Sequence, residues 1–155
     1  MRVTRYTDYS LRVLIYLALR ESDRTTIRQI SDAYGISKNH LMKVVQQLAA
    51  LGYIESMRGV GGGLNLARPA HQIAIGEVVR HMEPDLGLVE CMRPGNECII
   101  TPACKLRMML GKARESFLGT LDEYSLLDIL DSQSAMQLRV FLKLEPESRL
   151  KAALD

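Results

Sequence analysis

The stretch between Thr26 and Gly52 constrains the fold most, because its residues define two helices joined by a tight turn. Thr26 can cap a first helix, apolar residues follow at helical spacing, and Gly35 supplies the left-handed residue that ends it. Ser37 is placed to cap a longer second helix, whose apolar residues again share one face, and Gly52 ends it. A short helix, a glycine turn and a longer helix predict a helix-turn-helix.

The polar face of the second helix favours DNA binding. It carries lysine, amide and imidazole side chains, which suit base edges and phosphates, and no acidic residue occurs between Ser37 and Ile54. We expect the residues at and after its N-terminus to contact DNA: Ser37, Lys38, Asn39, His40 and Lys43. Helical hairpins also occur in proteins that never touch DNA, so the pattern alone leaves that alternative open.

A predicted β-hairpin follows the second helix. Alternating residues predict strands over Tyr53 to Met57 and Gly63 to Ala67, with a glycine-rich turn between them. A hairpin in this place is a wing, and we expect contacts with the DNA backbone or minor groove from three turn residues: Arg58, Gly61 and Gly62. The alternative is a flexible hairpin tip without a ligand.

The uneven distribution of charge agrees with a DNA-binding first half. Residues 1–70 hold ten basic against five acidic residues, whereas residues 71–155 hold ten against thirteen. A basic half fits a polyanion such as DNA, although a few surplus surface charges on any soluble domain would look the same.

All three cysteines lie within the fourteen-residue stretch from Cys91 to Cys104, which also contains Cys98, Pro94 and Gly95. Three thiolates in one short loop can hold iron, zinc or an iron–sulfur cluster. A closed tetrahedral site needs a fourth ligand, which the loop does not supply as cysteine. A structural zinc and a thiol redox switch remain alternatives, whereas an odd number of crowded cysteines disfavours a disulfide framework.

Helical periodicity predicts three further segments. The first helix should begin near Thr7 as N-cap, carry Asp8 in its first turn and run to about Arg20; a short helix should cover Ile75 to Met82. The longest should start with Thr101 as N-cap, which would place Cys104 in its first turn. Its apolar seam predicts a helix that pairs with a second chain: Leu106, Leu110, Ala113, Phe117, Leu121 and Tyr124. The tail should have helical pattern to Leu144 and fray beyond Pro146.

Other functions and locations receive little support from the residues. No secretory signal is visible near the N-terminus, and the longest apolar run, Val13 to Leu19, is too short to span a bilayer. We therefore expect a cytoplasmic protein without a membrane partner. No nucleophile–base spacing or carboxylate pair suggests an enzyme.

Four motifs together resemble the Rrf-two family of winged-helix repressors: TRYTDYSLRVLIYLA, SKNHLMKVVQQL, RGVGGG and the ITPAC cysteine loop. Within that family the chain is most similar to the nitric-oxide-sensing iron–sulfur members. The resemblance implies a homodimer that represses transcription at an inverted-repeat operator. It also implies release of the DNA when the cluster is nitrosylated or lost.

The resemblance further implies the ligand set. Cys91, Cys98 and Cys104 match the cluster cysteines, with a 4Fe–4S cluster expected before a 2Fe–2S cluster. Asp8 stands where some members supply a fourth ligand from the other subunit. Other members use a histidine soon after the last cysteine, and none follows Cys104 here. Alternatives within these limits are an iron–sulfur or iron-status regulator of the same family, and a zinc-stabilised or thiol-redox DNA-binding regulator.

Together these inferences predict a mainly α fold, consisting of a winged helix-turn-helix with a two-stranded wing and a long C-terminal dimerisation helix. We expect the DNA-binding domain to span residues 1–82 and the cluster-binding loop residues 83–104. The dimerisation helix and tail would then occupy residues 105–155.

Overall fold

The computed structural model describes residues 3–20, 24–57, 59 and 61–144. Within them, six α-helices and one antiparallel pair of strands confirm the predicted mainly α, winged helix-turn-helix fold. The elements are α1 (Arg5–Arg20), α2 (Ile27–Tyr34), α3 (Lys38–Ala50), β1 (Ile54–Met57), β2 (Gly63–Leu66), α4 (Ile75–Met82), α5 (Lys105–Asp122) and α6 (Ser132–Phe141). None of the helices in these residues is long and apolar enough to cross a membrane.

Helix α1 lies at the centre of the core, where Val13, Leu14 and Leu17 are buried. It begins a turn earlier than predicted, because the Thr4 hydroxyl accepts a hydrogen bond from the Thr7 amide at 3.3 Å. The prediction of Thr7 as N-cap was therefore wrong. Thr7 is instead fully buried inside the helix, and its hydroxyl donates to Glu83 at 2.7 Å.

The helix-turn-helix forms where its sequence punctuation predicts it. Thr26 caps α2 in a reciprocal pair with Gln29, and Gly35 ends the helix at a φ of 63°. Ser37 is the N-cap of α3, whose apolar side is buried in the core: Leu41, Val44, Val45 and Leu48. Packing of this side leaves the opposite face of α3 in solvent.

The wing is a hairpin in which Ile54 pairs with Leu66 and Met57 with Gly63. Each strand is one residue shorter than predicted. An isolated bridge between Thr25 and Leu64 joins the hairpin to the segment that precedes α2. Glycine is needed at position 63 because a Cβ there would lie 2.9 Å from the Cβ of Arg24. The wing is thus held against the helix-turn-helix on one side.

The long helix α5 starts after the cysteine stretch. Thr101 begins a separate 3₁₀ turn (Thr101–Ala103), and Cys104 is the N-cap residue of α5, so the predicted start at Thr101 was wrong. Helix α5 packs on α4 through Arg80 and Asp122, whose side chains form two hydrogen bonds of 2.5 and 2.6 Å. Three residues of the predicted seam, Leu110, Phe117 and Leu121, are half-buried against the chain itself.

The C-terminal part of the described chain folds back onto the core. A 3₁₀ turn (Leu126–Leu130) contacts α1, and Leu126 and Leu142 are buried in the same hydrophobic cluster as α1. The predicted fraying beyond Pro146 lies outside the described residues. The division into three segments stays a prediction, since the last described helix shares its core with the first.

We expect the Leu14→Ala substitution to lower the free energy of unfolding by about 2–5 kcal/mol, because it leaves a cavity in the core beneath α1. Leu14 is fully buried, whereas Leu11 on the same helix is only half-buried. Urea denaturation followed by circular dichroism measures the loss. Leu11→Ala is the matched control and should cost less than half as much; equal losses would contradict the central position of Leu14.

Candidate DNA interface and cysteine loop

The residues predicted to bind DNA on α3 share one exposed surface. This surface consists of the N-cap residue and the polar side chains of the first turns: Ser37, Lys38, Asn39, His40 and Lys43. The Ser37 hydroxyl accepts a hydrogen bond from the His40 amide at 3.5 Å, so the cap is part of the same surface. The helix has no acidic residue in its first turn, and its N-terminal amides add positive potential. A phosphate or a base edge could approach without repulsion.

The wing lies beside this surface, and its tip is hydrogen-bonded to a residue that closely precedes the helix-turn-helix. The Arg24 guanidinium donates a hydrogen bond of 2.7 Å to the Gly61 carbonyl, and the Gly62 amide donates to Gly59 at 2.9 Å. Sequence reasoning missed Arg24, since its partner is 37 positions away. Arg58, the third predicted wing residue, lies outside the described residues.

Helix α1 contacts α3 through two tyrosines that sequence reasoning also missed. The Tyr6 hydroxyl donates to the Lys43 carbonyl at 3.1 Å, and the ring centroids of Tyr9 and His40 are 6.4 Å apart. Both partners on α3 belong to the predicted DNA-contacting set. A shift of the first turns of α1 would therefore displace Lys43 and His40 on that surface.

Asp8 stands between these two tyrosines in the sequence of α1, and its carboxylate pairs with Arg12. The two side chains meet at 3.1 Å (Nε to Oδ1) and 2.9 Å (Nη2 to Oδ2), and each is a little under half exposed. The Arg12 guanidinium also lies 6.0 Å from the Tyr9 ring centre and 5.8 Å from that of Tyr34 on α2. The Asp8 carboxylate is thus oriented by a residue that contacts the helix-turn-helix.

Tyr34 completes this contact as a neutral side chain. Burial raises its pKa to about 12, although the positive charge of Arg12 acts in the opposite direction. The phenol therefore stays protonated at neutral pH, and its ring offers Arg12 an uncharged aromatic surface.

The three cysteines are free thiols, each partly exposed, in a loop held by short-range hydrogen bonds. Asn96 accepts from the Cys98 amide at 3.0 Å and donates to the Thr101 hydroxyl at 3.0 Å; that hydroxyl donates to the Cys98 carbonyl at 2.7 Å. Sequence reasoning missed Asn96, and it assigned Thr101 to a helix cap. Together the two residues fix the backbone around the middle cysteine.

The first half of the loop is held by a separate ion pair. Arg93 contacts Asp85 at 2.6 Å and donates to the Gly87 carbonyl at 3.0 Å. A 3₁₀ turn (Glu90–Met92) places Cys91 in this half. The loop therefore has two locally bonded parts, joined through Pro94 and Gly95, and Gly95 has a φ of 79°.

The donor chemistry of the loop fits an iron–sulfur cluster, because such clusters are held by thiolates and three free thiols are present. In the described part of the chain, however, no three His, Cys, Asp or Glu side chains are gathered closely enough to hold a metal ion. Binding would require the two parts of the loop to bring Cys91, Cys98 and Cys104 together. Asp8 is likewise not gathered with the cysteines of its own chain.

Comparison with known proteins shows which family this winged helix-turn-helix chain belongs to. Residues 3–132 match the family model Rrf2 (Rrf-two), described as an iron-dependent transcriptional regulator. The chain is 50% identical to the HTH-type transcriptional regulator NsrR of Bacillus licheniformis over 86% of this chain and 94% of that protein. It is 48% identical to NsrR of Geobacillus kaustophilus, over 88% and 95%.

A solved structure of similar fold is that of CymR, the global cysteine regulator of B. subtilis. Its TM-score is 0.67 at 25% identity, covering 83% of this chain and 95% of that one. These relatives are transcriptional regulators and not enzymes. The chain therefore belongs to the Rrf2 family of DNA-binding transcriptional regulators.

Proposed function

We propose that this regulator is a homodimeric iron–sulfur repressor that senses nitric oxide and then releases its operator DNA. Support comes from the three free thiols in one loop and from the near 50% identity to proteins named NsrR. Its place of action would be the bacterial cytoplasm, where the operator DNA is found.

The observation that carries this proposal is the contact between α1, the helix that contains Asp8, and the surface of α3 that is predicted to bind DNA. Tyr6 and Tyr9 flank Asp8 in sequence and contact Lys43 and His40 on α3. A ligand that pulls on Asp8 would therefore displace the helix that touches the DNA-reading residues. Such coupling needs a free-energy difference of only a few kcal/mol between two arrangements.

Cys91, Cys98 and Cys104 would hold the cluster, with Asp8 of the partner subunit as fourth ligand and a 4Fe–4S form favoured over a 2Fe–2S form. When bound, the cluster supplies iron that reacts with nitric oxide, most readily where a hard carboxylate replaces a thiolate. Arg12 would orient the Asp8 carboxylate through its two short contacts. The partner's residue would thereby complete a site that the loop alone leaves open.

An exposed apolar face on α5 supports the dimer. Leu106 and Met109, three positions apart on this face, are both more than half exposed, although leucine and methionine side chains favour burial. The neighbouring seam residues Leu110, Phe117 and Leu121 are half-buried against the chain itself. A second copy of α5 would cover what the single chain leaves in solvent.

We expect Met109→Glu to raise the dissociation constant of the dimer at least about tenfold. The reason is that each chain would then place a carboxylate between the paired α5 helices, where the two negative charges repel each other. Analytical ultracentrifugation measures the constant. Met136→Glu on α6 is the matched control, since Met136 is 51% exposed against 58% for Met109. A dimer equally stable in both variants would place the interface elsewhere.

The test of the proposed function starts from anaerobically purified protein and a duplex selected with it from a random-sequence pool, hereafter the selected duplex. We expect this protein to show a visible absorption band. Titration with nitric oxide should remove the band and, in parallel, lower the affinity for the selected duplex. A colourless zinc protein would lack the band, and a thiol redox switch would respond to oxidant without it. Equal DNA affinity before nitric oxide, after it and without cluster would contradict the proposal.

A further inference from the structure

Met42 is an apolar side chain in the middle of the polar surface of α3. Of the large apolar side chains described between residues 24 and 82, only Met42 and Met57 are exposed, at 57% and 54%. The core side of α3 is already complete without Met42. Folding of the single chain therefore gives no reason for a methionine here.

The neighbours of Met42 are residues that suit DNA. Asn39, Met42, Lys43 and Gln46 follow one another at spacings of three, one and three, so they form one stripe along the helix. All four line a groove of about 800 Å³ between α3 and β1, and no carboxylate lines it. A base edge or phosphate of DNA bound along α3 would therefore meet no negative charge from the residues of this groove.

The major groove of DNA offers one apolar group that an exposed methionine can contact, the C5-methyl of thymine. Phosphates and the polar base edges give a thioether little to bind. Methionine is also flexible and polarisable, so it can adapt to a methyl group among polar neighbours. The amide side chains of Asn39 and Gln46, on the same stripe, suit the adenine of an A·T pair.

We propose that Met42 is a specificity-determining residue that reads a thymine methyl group in each half of the operator. The inference rests on the proposed function in that the protein binds duplex DNA as a homodimer with two half-sites; it needs neither the cluster nor nitric oxide. Met42 would thus select a base through an apolar contact, whereas the residues already assigned to the DNA-binding surface of α3 act through charge and hydrogen bonds.

Uracil scanning of the selected duplex tests this inference, because uracil differs from thymine only by the missing methyl group. Thymines are replaced by uracil in symmetric pairs, and affinity is measured by fluorescence anisotropy with protein purified anaerobically. At one pair the wild-type protein should bind about 15-fold more weakly, which corresponds to about 0.8 kcal/mol for each lost methyl contact in two half-sites. With Met42→Ala, the same replacement should change affinity less than about twofold.

Met57→Ala is the matched control, because Met57 is equally exposed but lies at the end of β1. It should keep the full uracil effect at the position that Met42→Ala silences. Circular dichroism checks that both variants fold, as expected for exposed side chains.

A scan without any Met42-dependent position, in a protein that still binds the selected duplex, would overturn this inference and leave the proposed function intact. Uracil effects of equal size in wild type and Met42→Ala would also overturn it. A pool from which the protein enriches no sequence would instead contradict sequence-specific DNA binding, and this inference with it.

Discussion

Replacing Cys98 with serine is expected to reduce the visible absorption of the anaerobically purified protein to background. A serine hydroxyl stays protonated at neutral pH and is a hard oxygen donor, whereas iron in these clusters is held by soft thiolates. Cys98 lies in the middle of the loop, and its backbone is fixed on both sides by Asn96 and Thr101. No other thiol in the chain could replace it, since the remaining two are already assigned to the site.

Ile99→Ser is the control for this experiment. Ile99 follows Cys98 directly and is 92% exposed, so its substitution changes the same loop without removing a thiol or a core contact. Absorption and iron content per protein should equal those of the wild type. A Cys98→Ser protein that kept its colour and its iron would remove Cys98 from the proposed ligand set. Zinc content, measured on the same samples, separates a structural zinc site from a cluster.

The second large effect is expected from Asp8→Ala, which should uncouple DNA binding from nitric oxide. In the wild type we expect nitric oxide to weaken binding of the selected duplex by about 5- to 150-fold, the range of typical allosteric coupling. Without the carboxylate, α1 would have no bond to the cluster site, and the ratio should fall below about twofold. Fluorescence anisotropy before and after titration gives both affinities.

Asp32→Ala provides a matched control for Asp8→Ala. Asp32 on α2 also pairs with an arginine one turn away, Arg28, at 3.7 Å. Exposed pairs of this kind contribute about 0–1 kcal/mol to folding, so neither variant should lose its fold. Asp32→Ala should keep the wild-type response to nitric oxide. An Asp8→Ala protein with an unchanged spectrum and response would exclude Asp8 as ligand, while leaving the cysteines in place.

Much of the fold could be predicted because it depends on local rules. Thr26, Gly35 and Ser37 satisfy helix termini through bonds to residues three or four positions away, so these patterns are visible in a short window of the chain. The wing and α4 were predicted to within about one residue for the same reason. The three cysteines were likewise placed in one loop by their spacing alone.

Predictions failed where a hydrogen-bond partner other than the expected helix terminus, distant or local, decided the outcome. Threonine is a common N-cap residue, yet the hydroxyl of Thr7 is buried because Glu83, 76 positions away, accepts its hydrogen bond. Thr101 was assigned to a helix start, but its hydroxyl bonds Asn96 and the Cys98 carbonyl instead. Half of the α5 seam is covered by the chain itself, which no pattern within α5 could indicate.

The sequence by itself determined the helix-turn-helix, the wing, the thiol loop and the family, because caps, periodicity and motifs are local properties. Only the tertiary structure decided that Tyr6 and Tyr9, which flank Asp8 in sequence, contact Lys43 and His40 on α3. It alone showed that Met42 stands exposed among the polar residues of that helix. Such contacts join residues far apart in the chain, and spacing within one helix indicates its apolar face but not which element packs against it.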